Sequence, residues 1–129
     1  MKEMKVVILE PMKRARSEII DGSLNGLQSV VGGMIEAVYA FDDAAAIICC
    51  ESGKIDGLAL NRALRTPDGL LYDIIAGTAI IAGLGMDDFT SLTDDQLNYY
   101  LHVFEYPEIF YRYGPTMVAF PLVDVNVES

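Results

Sequence analysis

The stretch MIEAVYAFDDAAAIICC, residues 34–50, decides the class of fold. Up to Phe41 this stretch alternates with a period of two, and from Ala44 onward it is continuously apolar. The first pattern is typical of a half-buried β-strand, and the second is typical of a strand in the middle of a sheet. Because only the turn formed by Asp42 and Asp43 separates the two halves, we expect the two strands to be neighbours.

Further strands are predicted on both sides of this stretch. A first hairpin joins residues 4–9 to residues 17–20 through a basic loop at residues 13–16. The remaining predicted strands cover residues 70–75, 78–82 and 116–123. The last of these is expected at a sheet edge, because Pro121 has no amide proton to donate to a neighbouring strand.

A short helix is predicted between the first hairpin and the central stretch. Ser23 is a good N-cap residue, and the apolar residues after it fall at helical spacing. Gly32 and Gly33 then stop the helix, since glycine reaches left-handed dihedral angles at little steric cost. The prediction is a helix over residues 23–31.

The clearest local signal lies in the C-terminal third. Thr93 and Gln96 stand at the two positions of a capping box, and the apolar residues that follow predict an amphipathic helix over residues 94–104. Pro107 ends this helix. We expect the segment 108–113 to form a further helical turn.

Together these elements predict an α+β fold in a single domain, residues 1–129. The sheet is expected to be mostly antiparallel, with five to seven strands. A short helix lies in the N-terminal half, and a C-terminal helical segment, about 94–104, packs on one face of the sheet.

The charge of the chain argues against nucleic acid as a partner. The formal net charge is −10, and from Met86 to the end eight acidic residues face one basic residue, Arg112. Binding to DNA or RNA relies on Lys and Arg side chains that displace counterions from phosphates. An acidic surface of this kind repels such a backbone.

We expect a cytoplasmic protein without a membrane segment. The apolar run near the N-terminus covers only residues 6–9, too short for a signal sequence, and no apolar stretch approaches the roughly 20 residues that span a bilayer. The adjacent Cys49 and Cys50 point to opposite faces of their predicted strand, so they are poorly placed to bridge each other. Reduced thiols of this kind are typical of the cytosol.

The sequence contains few residues that suggest catalysis. His102 is the only histidine, and no nucleophile motif or metal-ligand spacing is present. The sequence therefore predicts no catalytic residue, no metal site and no cofactor.

Two groups of residues suit recognition. Asn61, Arg62 and Arg65 combine an amide with guanidinium groups that pair with phosphates or carboxylates, although solvated surface arginines are an alternative interpretation. The aromatic run at residues 106–113 includes Arg112, and its rings suit stacking on a base, core packing or a contact between copies. We expect a homo-oligomer, because symmetric dimers are common and this run offers apolar surface.

Two motifs resemble a known group of proteins. The residues Val31-Gly32-Gly33-Met34-Ile35-Glu36 and the pair Asn61-Arg62 look like those of an uncharacterised domain family that phages, prophages and conjugative elements of bacteria encode. The resemblance covers roughly residues 4–85. It implies an origin in a mobile element, and it implies no reaction.

The order of elements and the Asn-Arg segment are also similar to phage anti-Thoeris sponges, which sequester cyclic ADP-ribose signals without cleaving them. That likeness implies counter-defence by a non-enzymatic protein that binds a small nucleotide. The nearest candidates for adenine stacking and pyrophosphate contact are Phe89, Arg62, Arg65 and Arg112, beside Asn61. The alternative is an acidic interaction module that blocks a host DNA-binding enzyme by mimicking the charge of DNA.

Overall fold

Ten strands and two helices make up residues 2–123, the part of the chain that the computed structural model describes. In chain order the elements are β1 (Glu3–Leu9), β2 (Arg16–Asp21), α1 (Leu24–Val31), β3 (Ile35–Val38), β4 (Ala45–Cys50), β5 (Leu60–Arg65), β6 (Leu71–Ala76), β7 (Ala79–Leu84), β8 (Phe89–Thr90), α2 (Asp94–Val103), β9 (Glu108–Tyr113) and β10 (Thr116–Pro121). Asp124 and Glu128, two of the acidic residues counted above, lie outside the described residues.

The central sheet has six strands in the order β2-β1-β7-β4-β3, with β8 paired to β7. All of its neighbouring strands are antiparallel. β4 is buried along its whole length and its neighbour β3 is mostly half-buried, so the prediction for residues 34–50 is confirmed. The predicted α+β class and mostly antiparallel sheet are confirmed as well.

Each face of the central sheet has its own core, because β1, β4 and β7 alternate apolar side chains between the two faces. On one face these strands pack with Leu27 and Val31 of α1. On the other face they pack with Tyr100 of α2 and with Leu64 of the β5–β6 hairpin. The sheet is therefore the middle of three layers, and the C-terminal helix packs on one face as predicted.

The helix α1 begins and ends where the sequence predicts. Ser23 Oγ accepts a hydrogen bond from the amide of Gly26 at 3.1 Å. Gly32 ends the helix with φ at +85°, in the left-handed region that favours glycine. A Cβ atom on Gly33 would lie 3.1 Å from Cys50 Sγ, so the second glycine lets the helix end approach β4 closely.

The two cysteines lie on opposite faces of the sheet. Cys49 belongs to the core that contains α2, whereas Cys50 faces the end of α1 at Gly33. Both are buried and free of a disulfide, in agreement with the sequence prediction.

The capping box at the start of α2 is present. Thr93 Oγ1 accepts from the amide of Gln96 at 3.1 Å, and Gln96 Oε1 accepts from the amide of Thr93 at 3.0 Å. The helix covers Asp94–Val103 and Phe104 caps it, so the predicted bounds are correct to within one residue. Among residues 2–123, no helix is both long and apolar enough to cross a membrane.

One prediction about local structure is wrong, and one strand was not predicted. The segment 108–113 is the strand β9 rather than a helical turn, and it pairs antiparallel with β10 over six residue pairs. The segment 61–65, for which the sequence predicts no strand, belongs to the strand β5, which pairs with β6. In both cases pairing with the next strand along the chain decides the conformation, and the pattern within the segment alone does not reveal that pairing.

Candidate functional site

The guanidinium of Arg62 lies inside the protein, where it binds main-chain carbonyls. Arg62 is 0% exposed. Its Nε and Nη2 atoms donate to the carbonyl of Phe104 at 3.2 and 3.0 Å. Nη2 also donates to the carbonyl of Lys13 at 2.8 Å, and Nη1 donates to the carbonyl of Glu10 at 3.3 Å. One side chain therefore holds the β1–β2 connection against the end of α2.

Asn61 extends this arrangement. Its Oδ1 atom accepts from Arg62 Nη1 at 2.9 Å, and its Nδ2 atom donates to the carbonyls of Leu9 and Gly77 at 2.9 and 2.7 Å. Asn61 is also 0% exposed. We call the two side chains and the carbonyls they bind the Arg62 hub. It connects four separate segments of the chain.

Within residues 2–123, no carboxylate is hydrogen bonded to the guanidinium of Arg62. Burial lowers the pKa of its guanidinium to about 10, and the charge of Glu108 opposes part of that effect. The group therefore remains protonated at neutral pH. Its neighbours are carbonyl dipoles, among them that of Phe104 at the negative end of α2.

The structure corrects the expectation that Asn61 and Arg62 form a surface for a ligand. Both side chains are buried, and carbonyls of the same chain occupy their donors. The pair presents no exposed donor in this conformation. Substitution of Arg62 is thus expected to damage the fold, and it does not isolate a binding role.

Arg65 lies three residues further along β5 and points to a different region. Its Nη2 and Nη1 atoms donate to the two carboxylate oxygens of Glu108 at 3.0 and 3.4 Å. Nη2 also donates to the carbonyl of Ala119 at 3.3 Å. Glu108 is only 8% exposed, so this ion pair fastens the β9–β10 hairpin to β5.

The structure does not bring the five predicted binding residues together. Phe89 packs against the core that contains α1, on the opposite side of the sheet from Leu64 in β5. Arg112 is an exposed residue of β9, four positions from Glu108 and therefore about 13 Å along the strand. Of the five, Arg65 borders a cavity with the rings of Phe41 and Tyr72, whereas Phe89 borders a different cavity with Tyr39.

A groove that includes the Arg65 cavity runs between α2, the loop after β3 and the β5–β6 hairpin. It consists of a cavity of about 460 Å³ and a second of about 240 Å³, and Ala40 and Phe41 line both. We call it the Phe41 groove. Its other main lining residues are Asp42, Asp43, Arg65, Tyr72, Tyr99, Tyr100, Val103 and Glu108.

Aromatic rings form the floor and the sides of the Phe41 groove. The ring of Phe41 lies 4.6 Å from that of Tyr100, which in turn lies 5.1 Å from the ring of Tyr99. Tyr100 is buried, whereas Tyr99 is 61% and Tyr72 is 54% exposed. The groove therefore offers two accessible tyrosine side chains on a buried aromatic support.

Carboxylates form one rim of the groove. Asp43 Oδ2 accepts from the hydroxyl of Tyr100 at 2.7 Å, and Asp43 Oδ1 accepts from the amide of Ala44 at 2.7 Å. The hydrogen bond from Tyr100, together with those from Ala44 and Gln96, lowers the pKa of the Asp43 carboxyl. Asp43 is thus a fixed negative charge, with the exposed Asp42 beside it.

Sequence reasoning missed most of this groove. It assigned Asp42 and Asp43 to a turn and left Phe41, Tyr72 and Tyr99 without a role. One signal was present: Tyr99 and Val103 stand four residues apart, which places two large apolar residues on one face of a helix whose core face is elsewhere. Their exposure of 61% and 47% shows that this face is not covered within residues 2–123.

The side chains around the groove are mainly aromatic rings and carboxylates. In the described part of the chain, no three His, Cys, Asp or Glu side chains are placed to share a metal ion. Aromatic faces next to carboxylates are suited to holding a cationic group.

The fold and the groove define a small α+β domain with a groove of aromatic and acidic side chains on its surface. The chain belongs to the family described as "Domain of unknown function (DUF3846)", whose model matches residues 4–105. This match includes both helices and ends before β9. No curated protein and no solved structure matches the chain.

Proposed function

We propose that the protein is a non-enzymatic binding module of a phage or mobile element, and that it captures a basic segment of a host protein in the Phe41 groove. The observation that carries this proposal is the placement of exposed Tyr99 with the carboxylates of Asp42 and Asp43 around one cavity of the groove, beside a second cavity that exposed Tyr72 lines. A host DNA-binding enzyme is the partner class with suitable basic surface.

The local chemistry of the groove supports a cationic occupant. An Arg or Lys head group is attracted to the face of an aromatic ring by about 0.5–2 kcal/mol, and a nearby carboxylate adds to this attraction. Asp43 is ionised at neutral pH, since its pKa is lowered. The groove therefore favours a cationic group over a neutral or anionic one when that group leaves water and enters the groove.

The charge of the whole chain supports the same occupant. A net charge of −10 steers a basic partner towards the protein and accelerates association at low ionic strength. It equally disfavours DNA, whose phosphates a basic host surface normally binds. An acidic module that covers such a surface would compete directly with DNA.

Fluorescence anisotropy with labelled oligo-arginine and oligo-glutamate peptides tests the proposal. We expect the arginine peptide alone to bind, with affinity that falls as salt is added. Tyr99→Ala should weaken binding at least about fivefold, in the range of one desolvated cation–π contact. Tyr39→Ala is the matched control, because it removes an exposed tyrosine that lines neither cavity of the groove.

The proposal fails if Tyr99→Ala and Tyr39→Ala bind the arginine peptide equally, because the attraction would then come from net charge alone. It also fails if neither peptide binds. Retention of the wild-type melting temperature in both variants shows that the comparison concerns the groove and not the fold.

Sequestration of a cyclic ADP-ribose-type signal is a second candidate. The observation that favours it is that Arg65 borders the same cavity as Phe41 and Tyr72. It ranks second because Glu108 already compensates the charge of Arg65, and because 240 Å³ is below the roughly 300–1,000 Å³ usual for ligand pockets. A rise in melting temperature with cyclic ADP-ribose isomers, lost in Tyr72→Ala, would reverse this order.

A further inference from the structure

The β9–β10 hairpin has an outer face without a single charged residue. Antiparallel pairing places Tyr113 opposite Thr116, Tyr111 opposite Val118, and Ile109 opposite Phe120. Alternate residues of a strand share one face, so these six side chains lie together. We call them the outer hairpin face: Ile109, Tyr111, Tyr113, Thr116, Val118 and Phe120.

The opposite face of the hairpin is the one that contacts the rest of the protein. Glu108 is buried there against Arg65, and Ala119 accepts a hydrogen bond from the same guanidinium. The outer hairpin face consequently points away from β5. Tyr111, Tyr113 and Phe120 on it are 53%, 68% and 49% exposed, and the rings of Tyr111 and Phe120 lie 6.2 Å apart.

The hairpin lies outside the residues that match the family model. The match ends at Glu105, and β9 begins at Glu108. Within the described residues β9 and β10 pair only with each other, and an isolated two-stranded hairpin is marginally stable in water. A contact that buries the outer hairpin face would stabilise it and remove three exposed aromatic side chains from solvent.

We infer that a second copy of this chain covers the outer hairpin face. In a two-fold symmetric dimer the same patch from each copy meets itself, so any charge on the patch faces its own copy. A chain of net charge −10 repels itself through most of its surface. The outer hairpin face is a place where two copies meet without opposing carboxylates, and its aromatic side chains are of the types enriched at interfaces.

A basic partner protein fits the outer hairpin face less well than a second copy of the chain does. A basic protein finds aromatic rings but no carboxylate among these six side chains, so the acidic Phe41 groove offers it a better match. The dimer does not depend on the function proposed for that groove, because the two surfaces share no residue.

Sedimentation equilibrium of the full chain across a wide range of concentrations tests the inference. We expect a mass of twice 14.1 kDa for the wild type, with dissociation on dilution. Phe120→Glu and Tyr113→Glu each place a charge on the outer hairpin face and should raise the dimer dissociation constant at least about tenfold, because like charges brought together across an interface are strongly unfavourable. Met86→Glu is the matched control, because it adds the same charge at an exposed apolar residue elsewhere.

Circular dichroism spectra separate loss of the dimer from loss of the fold. Tyr113 stands beside the hairpin turn and is mostly exposed, so Tyr113→Glu should keep the wild-type spectrum even if Phe120→Glu perturbs the hairpin. A wild-type protein that is monomeric throughout overturns the inference, as does a dimer that persists in folded Tyr113→Glu and Phe120→Glu. Tyr99→Ala should remain dimeric whatever its effect on peptide binding.

Discussion

The guanidinium of Arg62 donates two hydrogen bonds to the carbonyl of Phe104, the residue that caps α2. The donor and the acceptor are 42 residues apart in the chain. The hydrogen bonds satisfy a carbonyl at the C-terminal end of a helix with a side chain from the β5–β6 hairpin, in place of the local caps that helices commonly use.

Arg62→Ala should therefore destabilise the protein strongly. It leaves several buried carbonyls without donors, and we expect the free energy of unfolding to fall by about 3–5 kcal/mol. Arg62→Lys should recover only part of this loss, because an ammonium group cannot reproduce the planar fork. Urea unfolding followed by circular dichroism measures both, and exposed Arg112→Ala, expected within about 0.5 kcal/mol of wild type, is the control. Equal stability of Arg62→Ala and Arg112→Ala would contradict a structural hub.

Arg65→Ala should lower the free energy of unfolding more than Arg14→Ala does. This is expected although the ion pair of Arg14 with Glu105 is shorter than that of Arg65 with Glu108, at 2.8 Å against 3.0 Å. Glu108 is nearly buried, and removal of its partner leaves an uncompensated charge, which we expect to cost about 2–3 kcal/mol. Arg14 and Glu105 are both exposed, so their pair contributes less than about 1 kcal/mol. Chemical denaturation of the two variants decides the order, and the reverse order would show that distance outweighs burial here.

The pairing of Asp43 with Tyr100 should make stability depend on acid pH. The folded-state pKa of Asp43 is lowered below its ordinary value of 3.8, so its contribution is fully present above about pH 4 and is lost as pH falls through the lowered value. Asp43→Asn should flatten this part of the stability profile. Asp42→Asn, at the exposed neighbouring residue, should leave the profile unchanged. Thermal melts between pH 2 and pH 7 provide the comparison.

Cys49 should react slowly with thiol reagents in the folded protein. Burial, followed by the charge of Glu36, raises the pKa of the Cys49 thiol from 9.0 to about 11. The unfolded chain ionises at the lower value, so this group's contribution to stability is present below pH 9 and is lost as pH rises from about 9 to about 11. Labelling of Cys50→Ala, which leaves Cys49 as the one thiol, should be slow without urea and fast with it. Fast labelling of the folded protein would contradict this burial.

The sequence predicted best those elements whose signals are local. The capping box at Thr93 and Gln96 and the stop at Gly32 each depend on a few consecutive residues, and both are present in the structure. The pattern of residues 34–50, which alternates up to Phe41 and is continuously apolar from Ala44, also needs no distant information. It records which side chains face a core.

The binding residues were harder to predict because their surroundings come from distant segments. Arginine is usually exposed. The residues next to Arg62 in the sequence do not indicate that the carbonyls of Glu10, Lys13 and Phe104 surround it. The sequence predicts a helical turn for the segment 108–113, whereas pairing with β10, the next strand along the chain, makes it a strand. The Phe41 groove likewise gathers residues from the loop after β3, from β5, β6, α2 and β9, an assembly that no single pattern encodes.

The Arg62 hub also has a consequence for the order of folding. The hydrogen bonds of Arg62 to the carbonyls of Glu10, Lys13 and Phe104 join residues separated by 42 to 52 positions, so they form only after the chain has closed several long loops and water has left the guanidinium. Substitutions there should mainly accelerate unfolding and leave the rate of refolding almost unchanged, as expected for contacts that are absent from the transition state. Asn61 and Arg62 thus form their contacts late in folding. They affect the rate of unfolding, and so the lifetime of the folded protein, more than the rate of folding.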